Sequence, residues 1–163
     1  MIVVGYPGIG TEAMCEQHID CVKISSSDFS FKDENGAMKK WHKWGEICIN
    51  VAETLSKQCN IVCIPFHPDL IPRLKDTKET VRVVVPALSV KDKWVKKLYY
   101  RYLDTLSNED YIAWENAGKS FIGDVKEMIY TAEENEWKLI MLDDTKGYDL
   151  YTALCLSLGG EDI

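Results

Sequence analysis

The sequence predicts an α/β fold in which a parallel sheet of five strands has helices on both faces. Short apolar runs rich in β-branched residues alternate along the chain with segments of helical period, which is the pattern of repeated strand–helix–strand units. A length of 163 residues fits one domain, and a hydrophobic content of 46% suffices for a full core. We therefore expect one domain spanning residues 1–163.

Five apolar runs account for the strands. The third run is continuously apolar, as expected of a parallel strand buried on both faces, and a proline near its end predicts that pairing stops there. The five predicted strands cover residues 1–4, 21–24, 61–67, 81–86 and 139–142.

Segments with apolar residues at helical spacing fill the intervals between these strands. The longest prediction covers residues 37–58, with an apolar stripe that begins at Trp41 and Trp44, and we expect Trp44 to lie in the core. The other predicted helices cover residues 11–17, 69–75, 90–103, 109–116, 119–133 and 148–158.

The first twelve residues carry the one recognisable motif. Gly5 and Gly10 have the spacing of the phosphate-binding P-loop, G-x-x-x-x-G-K-[ST], but Thr11 and Glu12 occupy the positions of its Lys and Ser/Thr. The Lys normally contacts the β- and γ-phosphates and the hydroxyl holds Mg²⁺. What remains is a backbone able to face an anion with its N–H groups, and the alternative is an ordinary strand–turn–helix corner. The expected ligand-binding residues here are Tyr6, Pro7, Gly8, Ile9, Gly10 and Thr11.

Composition excludes several classes of function. The formal net charge of −7 argues against nonspecific nucleic-acid binding, which needs a basic surface. No run approaches the roughly 18 apolar residues of a membrane span, and no charged leader opens the sequence. The six cysteines form no C-x-x-C pair and predict reduced thiols without a metal site. These features favour a cytoplasmic protein that contacts neither nucleic acid nor membrane.

The chain resembles the small P-loop nucleoside and nucleotide kinase-like proteins of bacteriophages. The resemblance is carried by the opening GYPGIG, the Ser/Asp turn after the second strand, the predicted helix that follows, and the V-x-V-V-V-P…W-x-x-x-L…R-Y segment. It implies a single-domain, three-layer α/β/α P-loop kinase-like fold with a helical lid-like insertion at about residues 88–135. It also implies phosphoryl transfer from ATP to a nucleotide, which the Thr11–Glu12 departure puts in question.

The resemblance further implies where a nucleotide would lie. Its acceptor pocket would be lined by Ser25, Ser26, Ser27 and Asp28, with Trp41 as a stacking surface, and its lid by Lys93, Lys97 and Arg101. His67 should open toward the same crevice, because ligands of open parallel sheets bind at the carboxyl ends of the strands. Each group also has a structural interpretation: a helix cap for the Ser/Asp turn, a solvated face for the basic residues, and packing at a helix start for His67.

These observations predict a catalytically inactive, kinase-like protein that binds and sequesters a small-molecule nucleotide. The ligand would be a signalling nucleotide of the host cytoplasm, such as a cyclic ADP-ribose-type molecule or a cyclic dinucleotide. No catalytic residue, metal or cofactor is expected. Two alternatives remain: an active nucleoside monophosphate kinase that uses Mg²⁺ and a lysine from elsewhere, such as Lys93 or Lys97, and a protein-interaction module on a kinase scaffold. The aromatic residues between 94 and 114 leave a homo-oligomer open.

Overall fold

The structure, a computed structural model, describes residues 1–159 and has an α/β fold. The sheet is built from β1 (Ile2–Gly5), β2 (Cys21–Lys23), β5 (Ile61–Pro65), β6 (Val81–Pro86) and β7 (Lys138–Leu142). The strand order is β2-β5-β1-β6-β7 and helices flank the sheet, which confirms the predicted five-stranded parallel sheet. The chain divides into two compact units. The first contains residues 1–5 and 12–81, and the second contains residues 6–11 and the chain from Arg82 onward.

The first unit contains three strands of the sheet and a separate hairpin. Strand β5 pairs in parallel with β1, where Val62 lies opposite Ile2, and with β2, where Ile61 lies opposite Cys21. The elements are β1 (Ile2–Gly5), α1 (Thr11–Gln17), β2 (Cys21–Lys23), β3 (Ser30–Lys32), β4 (Met38–Lys40), α2 (Trp44–Leu55), β5 (Ile61–Pro65) and α3 (Ile71–Leu74).

The second unit contains the other two strands of the sheet and the longer helices. Strands β6 and β7 are parallel, with Val84 opposite Ile140. Its buried residues include Trp94, Leu98 and Phe121. The elements are β6 (Val81–Pro86), α4 (Lys91–Thr105), α5 (Asn108–Glu134), β7 (Lys138–Leu142) and α6 (Leu150–Leu158).

The prediction of one long helix over residues 37–58 is wrong at its start. Strand β4 pairs antiparallel with β3, and α2 begins only at Trp44. The reason is turn chemistry: the Asp33 carboxylate accepts hydrogen bonds from the backbone N–H groups of Asn35 and Ala37, and Gly36 has a φ of 78°. Trp41 therefore lies outside the helix, whereas Trp44 is 4% exposed and belongs to the core as predicted.

The two helices predicted over residues 109–116 and 119–133 correspond to the two halves of α5, which meet at a kink. The backbone departs from helical geometry at Ser120, with φ −141° and ψ 19°. The Ser120 hydroxyl oxygen lies 3.0 Å from the Asn116 carbonyl oxygen and 2.7 Å from Asp124 Oδ2, and its one hydrogen can be donated to either acceptor. Local bonds of this kind compete with the helical ladder. The apolar periodicity of the sequence therefore identified both halves of α5 as separate helical segments.

Candidate functional site

The loop of residues 6–11, which follows β1, owes its conformation to two glycines. Gly8 has a φ of 90° and Gly10 a φ of 102°, a region that side-chain-bearing residues rarely adopt. At Gly8 space is limiting as well, because an added Cβ would lie 3.0 Å from Leu98 Cδ2 and 3.2 Å from Trp94 Nε1. Gly8 is therefore required by both its backbone conformation and its neighbours, and Gly10 by its backbone conformation alone.

Two carbonyl oxygens of this loop are held by side chains of the second unit. Trp94 Nε1 donates to the Pro7 carbonyl over 2.9 Å, and the Tyr148 hydroxyl donates to the Ile9 carbonyl over 2.9 Å. Burial raises the pKa of Tyr148 to about 12, so its hydroxyl remains a donor at neutral pH. Both bonds are therefore present under ordinary solution conditions.

These two bonds fix the direction of the following amide groups. In a trans peptide the C=O of one residue and the N–H of the next point in opposite directions, and no cis peptide occurs in the described chain. The N–H of Gly8 therefore points away from Trp94, and the N–H of Gly10 points away from Tyr148. Among residues 1–159, neither N–H donates a hydrogen bond to a protein acceptor.

Lys97 lies beside the two side chains that hold the loop. Its ammonium donates to the Thr145 carbonyl and the Tyr148 hydroxyl, each over 3.2 Å, and stands 4.5 Å from the Trp94 ring centroid. Burial, with a smaller contribution from Arg101, holds the pKa of Lys97 below its usual value. We call Trp94, Lys97 and Tyr148 the loop-support cluster.

The other two residues of the predicted basic face have different surroundings. Arg101 Nε forms an ion pair with Asp110 Oδ1 at 3.0 Å, so part of its charge is neutralised by α5. Lys93 is exposed to solvent. The helical spacing of the three cations is thus as predicted, and their use as a phosphate lid stays a prediction.

The carboxylate of Glu12, which follows the loop, has a cationic partner. It lies in α1 and forms an ion pair with Lys23 at the end of β2, within the first unit. Cys15, one helical turn on, has its pKa lowered to about 7, chiefly by a hydrogen bond from Cys63. The reversed charge at the second motif position is therefore compensated by a neighbouring cation.

The predicted Ser/Asp turn of the first unit forms a short 3₁₀ helix, Ser26–Phe29. The Asp28 carboxylate accepts from the Ser25 N–H over 2.9 Å, and Lys40 Nζ donates to the Ser26 carbonyl over 2.7 Å. Asp28 thus makes a capping contact, as the structural interpretation of this turn expects. Whether Ser27 and its neighbours also contact a ligand stays a prediction.

Trp41 and His67 join one aromatic cluster of the first unit. The Phe29 ring lies between Trp41 and Trp44, with centroid distances of 5.8 Å and 6.4 Å, and Trp44 lies 4.8 Å from His67. Trp41 is 43% exposed, so part of its ring faces solvent. His67 Nδ1 accepts from the Asp69 N–H over 3.1 Å. Trp41 and His67 are therefore connected through the rings of Phe29 and Trp44.

The candidate residues consequently fall into two groups, one in each unit. The second unit holds Tyr6–Thr11, Lys93, Lys97 and Arg101, and the first holds Ser25–Asp28, Trp41 and His67. The sequence does not predict that Trp94 and Tyr148 donate hydrogen bonds to the loop. Trp94 is 87 positions from Pro7 and Tyr148 is 139 positions from Ile9, and no sequence signal connects residues at such separations.

Within residues 1–159 no helix is long and apolar enough to cross a membrane, and no group of three or more His, Cys, Asp or Glu side chains is arranged to hold a metal ion. No protein-family model and no curated protein matches the chain.

Proposed function

We propose that this chain is a P-loop kinase-like protein of three-layer α/β/α architecture that binds a nucleotide and holds it without transferring a phosphoryl group. The observation that carries the proposal is the loop of residues 6–11. Its carbonyls are bound by Trp94 and Tyr148, and its Gly8 and Gly10 N–H groups are left for an external acceptor.

Phosphate oxygens suit such a loop. Backbone N–H groups beside residues of alternating φ sign form concavities that bind anions, and hydrogen bonds to a charged acceptor are about twice as strong as neutral ones. A ligand phosphate would thus satisfy amides that have no protein acceptor. The Gly8 N–H and the Gly10 N–H are the groups we assign to this contact.

Phosphoryl transfer makes further demands that this loop does not meet. Transfer depends on a cation at the β- and γ-phosphates and on a hydroxyl at Mg²⁺, and the chain has Thr11 and Glu12 at those positions. Loss of one such preorganised group typically lowers the rate by about 10²–10³. Binding needs only the backbone, so it persists where catalysis does not.

The aromatic cluster of the first unit is the candidate for base recognition. A partly exposed indole such as Trp41 can stack on any base, a contact worth about 1–3 kcal/mol. Phe29 meets the Trp41 ring edge-on at an interplanar angle of 88°, which restricts its rotation. Stacking on Trp41 is a separate proposal from anion binding by the loop, and each can fail alone.

Sequestration follows from binding without turnover. A protein that keeps its ligand intact lowers the free concentration of that ligand in proportion to the number of sites. The resemblance to phage kinase-like proteins makes a host signalling nucleotide, cyclic or of the ADP-ribose type, the ligand we propose. A protein of this kind would stop the signal from reaching its effector.

The experiment that tests the loop compares Gly10→Ala with Gly36→Ala. Both glycines have positive φ and no heavy atom within 4 Å of an added Cβ, so both substitutions impose the same kind of backbone strain. Gly36 lies in the β3–β4 hairpin of the first unit and is not part of the motif. We expect Gly10→Ala to weaken binding of ADP and cyclic nucleotides by about tenfold or more, because the amide is displaced.

Gly36→Ala should cost similar stability and leave the nucleotide affinity unchanged. Isothermal titration measures affinity, and urea unfolding measures stability. If Gly10→Ala bound nucleotides with the same affinity as the unsubstituted chain, the loop would not be part of the binding site.

One observation favours the kinase alternative enough to test it. Lys97 contacts both side chains that hold the loop, so an ammonium is present next to the motif although it is not in the motif. Lys97 would have to leave Thr145 and Tyr148 to reach a phosphate. ATP turnover with nucleoside monophosphates that Lys97→Ala abolishes would establish the kinase and overturn the sequestration proposal.

A further inference from the structure

The exposed side of the α4–α5 hairpin carries a continuous row of aromatic rings. Tyr100 lies 6.0 Å from Tyr99, Tyr99 lies 5.0 Å from Trp114, and Trp114 lies 5.8 Å from Tyr111, measured between ring centroids. All four residues belong to the second unit. We call this row, together with Leu103, the aromatic face.

The aromatic face is open to solvent at the α4 side. Tyr100 is 53% exposed and Leu103 is 46% exposed. A contiguous exposed apolar surface usually marks an interaction site, and Tyr and Trp are the residues that most often dominate the binding energy of interfaces. We therefore interpret the aromatic face as an interaction surface, and the charges beside it indicate which partner binds there.

Two opposite charges flank Tyr100 symmetrically along α4. Lys96 is four residues before it and Asp104 four residues after it, and all three side chains are exposed on one side of the helix. Lys96 Nζ lies 5.8 Å from the Tyr100 ring centroid. Within residues 1–159 neither Lys96 nor Asp104 forms an ion pair. Along this side of α4 a cation, an aromatic ring and an anion therefore follow one another.

Such an edge is complementary to itself when one copy is reversed. A two-fold axis through Tyr100, perpendicular to α4, makes two α4 helices antiparallel and pairs Lys96 of each copy with Asp104 of the other. We propose that the aromatic face binds a second copy of this chain in this arrangement. Tyr100 of the two copies then meets at the axis, and two ion pairs close the interface.

A second copy fits better than a strongly charged partner. Two cations of the hairpin already have partners within it, since Arg101 pairs with Asp110 and Lys119 with Glu115. The chain as a whole has a formal charge of −7 and would repel a copy of itself at most surfaces. At this edge Lys96 and Asp104 present one charge of each sign. The inference does not depend on the nucleotide proposal.

Charge reversal with rescue tests the arrangement by sedimentation equilibrium of the full chain. Lys96→Glu brings two carboxylates together at each contact, and Asp104→Lys brings two ammonium groups together. We expect each single substitution to weaken the dimer by about tenfold or more, because two contacts are reversed at once. The double variant Lys96→Glu/Asp104→Lys recreates both ion pairs with their signs exchanged and should restore the dimer.

Lys57→Glu is the matched control, since Lys57 is exposed and lies in the first unit. It should leave the association unchanged. A chain that stays monomeric at every concentration measured overturns the proposal. So does a dimer that tolerates both single reversals, or one that the double variant fails to restore. All the substituted residues are exposed, so circular dichroism should show an unchanged fold in every variant.

Discussion

The Tyr148 hydroxyl shows how single atoms determine the geometry of the loop. It donates to the Ile9 carbonyl and accepts from Lys97 Nζ, so it joins the loop to α4. Trp94 makes the corresponding bond to Pro7. Together the two side chains determine the direction in which the Gly8 and Gly10 amides point. We therefore regard Tyr148 as a positioning residue that acts through the loop.

Tyr148→Phe should weaken nucleotide binding by about tenfold at a stability cost of about 0.5–1.5 kcal/mol, because it removes one hydroxyl and leaves the ring. The control is Tyr130→Phe, whose hydroxyl is in an exposed side chain. Isothermal titration and urea unfolding measure the two effects. A loss of stability with full affinity would show that the hydroxyl only supports the fold.

At the scale of elements, the C-terminal end of α5 has a residue type that its backbone conformation does not favour. The Trp137 N–H bonds to the Ala132 carbonyl over 2.9 Å and the Glu136 N–H bonds to the Glu133 carbonyl over 3.2 Å. This is the Schellman arrangement, in which the residue at the position of Glu136 adopts a left-handed conformation, here with a φ of 57°. Glycine is the usual residue at such a position.

Glu136→Gly should therefore raise the free energy of unfolding by about 1 kcal/mol, because glycine has no Cβ to oppose a positive φ. Glu134→Gly, within the last turn of α5, should lower it by a similar amount, since glycine is a poor helix former. Urea unfolding of both variants measures the difference. A decrease for Glu136→Gly would mean that the Glu136 side chain contributes more than its backbone costs.

For two elements the sequence predicts both the type and the bounds. Residues 11–17 and 81–86 were predicted with the bounds of α1 and β6, because a glycine turn precedes one and a β-branched run defines the other. The β3–β4 hairpin is not predicted from the sequence, because Trp41 has the spacing of the apolar helical stripe that continues with Trp44. The turn of residues 33–36, with Asp33 and Gly36, was the competing signal.

At the scale of the whole molecule, the strand order arises from pairings between segments far apart in sequence. β1 pairs with β5 about sixty residues away, with Val3 opposite Cys63. The periodicity of the sequence predicts that a parallel sheet forms, since the alternation of strands and helices requires it. It does not give the order of the strands or the contacts of Trp94 and Tyr148 with the loop, which depend on the assembled fold.

We propose that a bound nucleotide is retained and not converted. The most direct measurement is a thermal-shift titration of ATP, nucleoside monophosphates, cyclic dinucleotides and ADP-ribose derivatives, with and without Mg²⁺, followed by recovery of the ligand. A ligand at a hundredfold excess over its Kd should stabilise the protein by about 2.7 kcal/mol. We expect a response to a signalling nucleotide that does not need Mg²⁺, with the ligand recovered intact. A response to ATP alone that requires Mg²⁺ and yields ADP would contradict the claim.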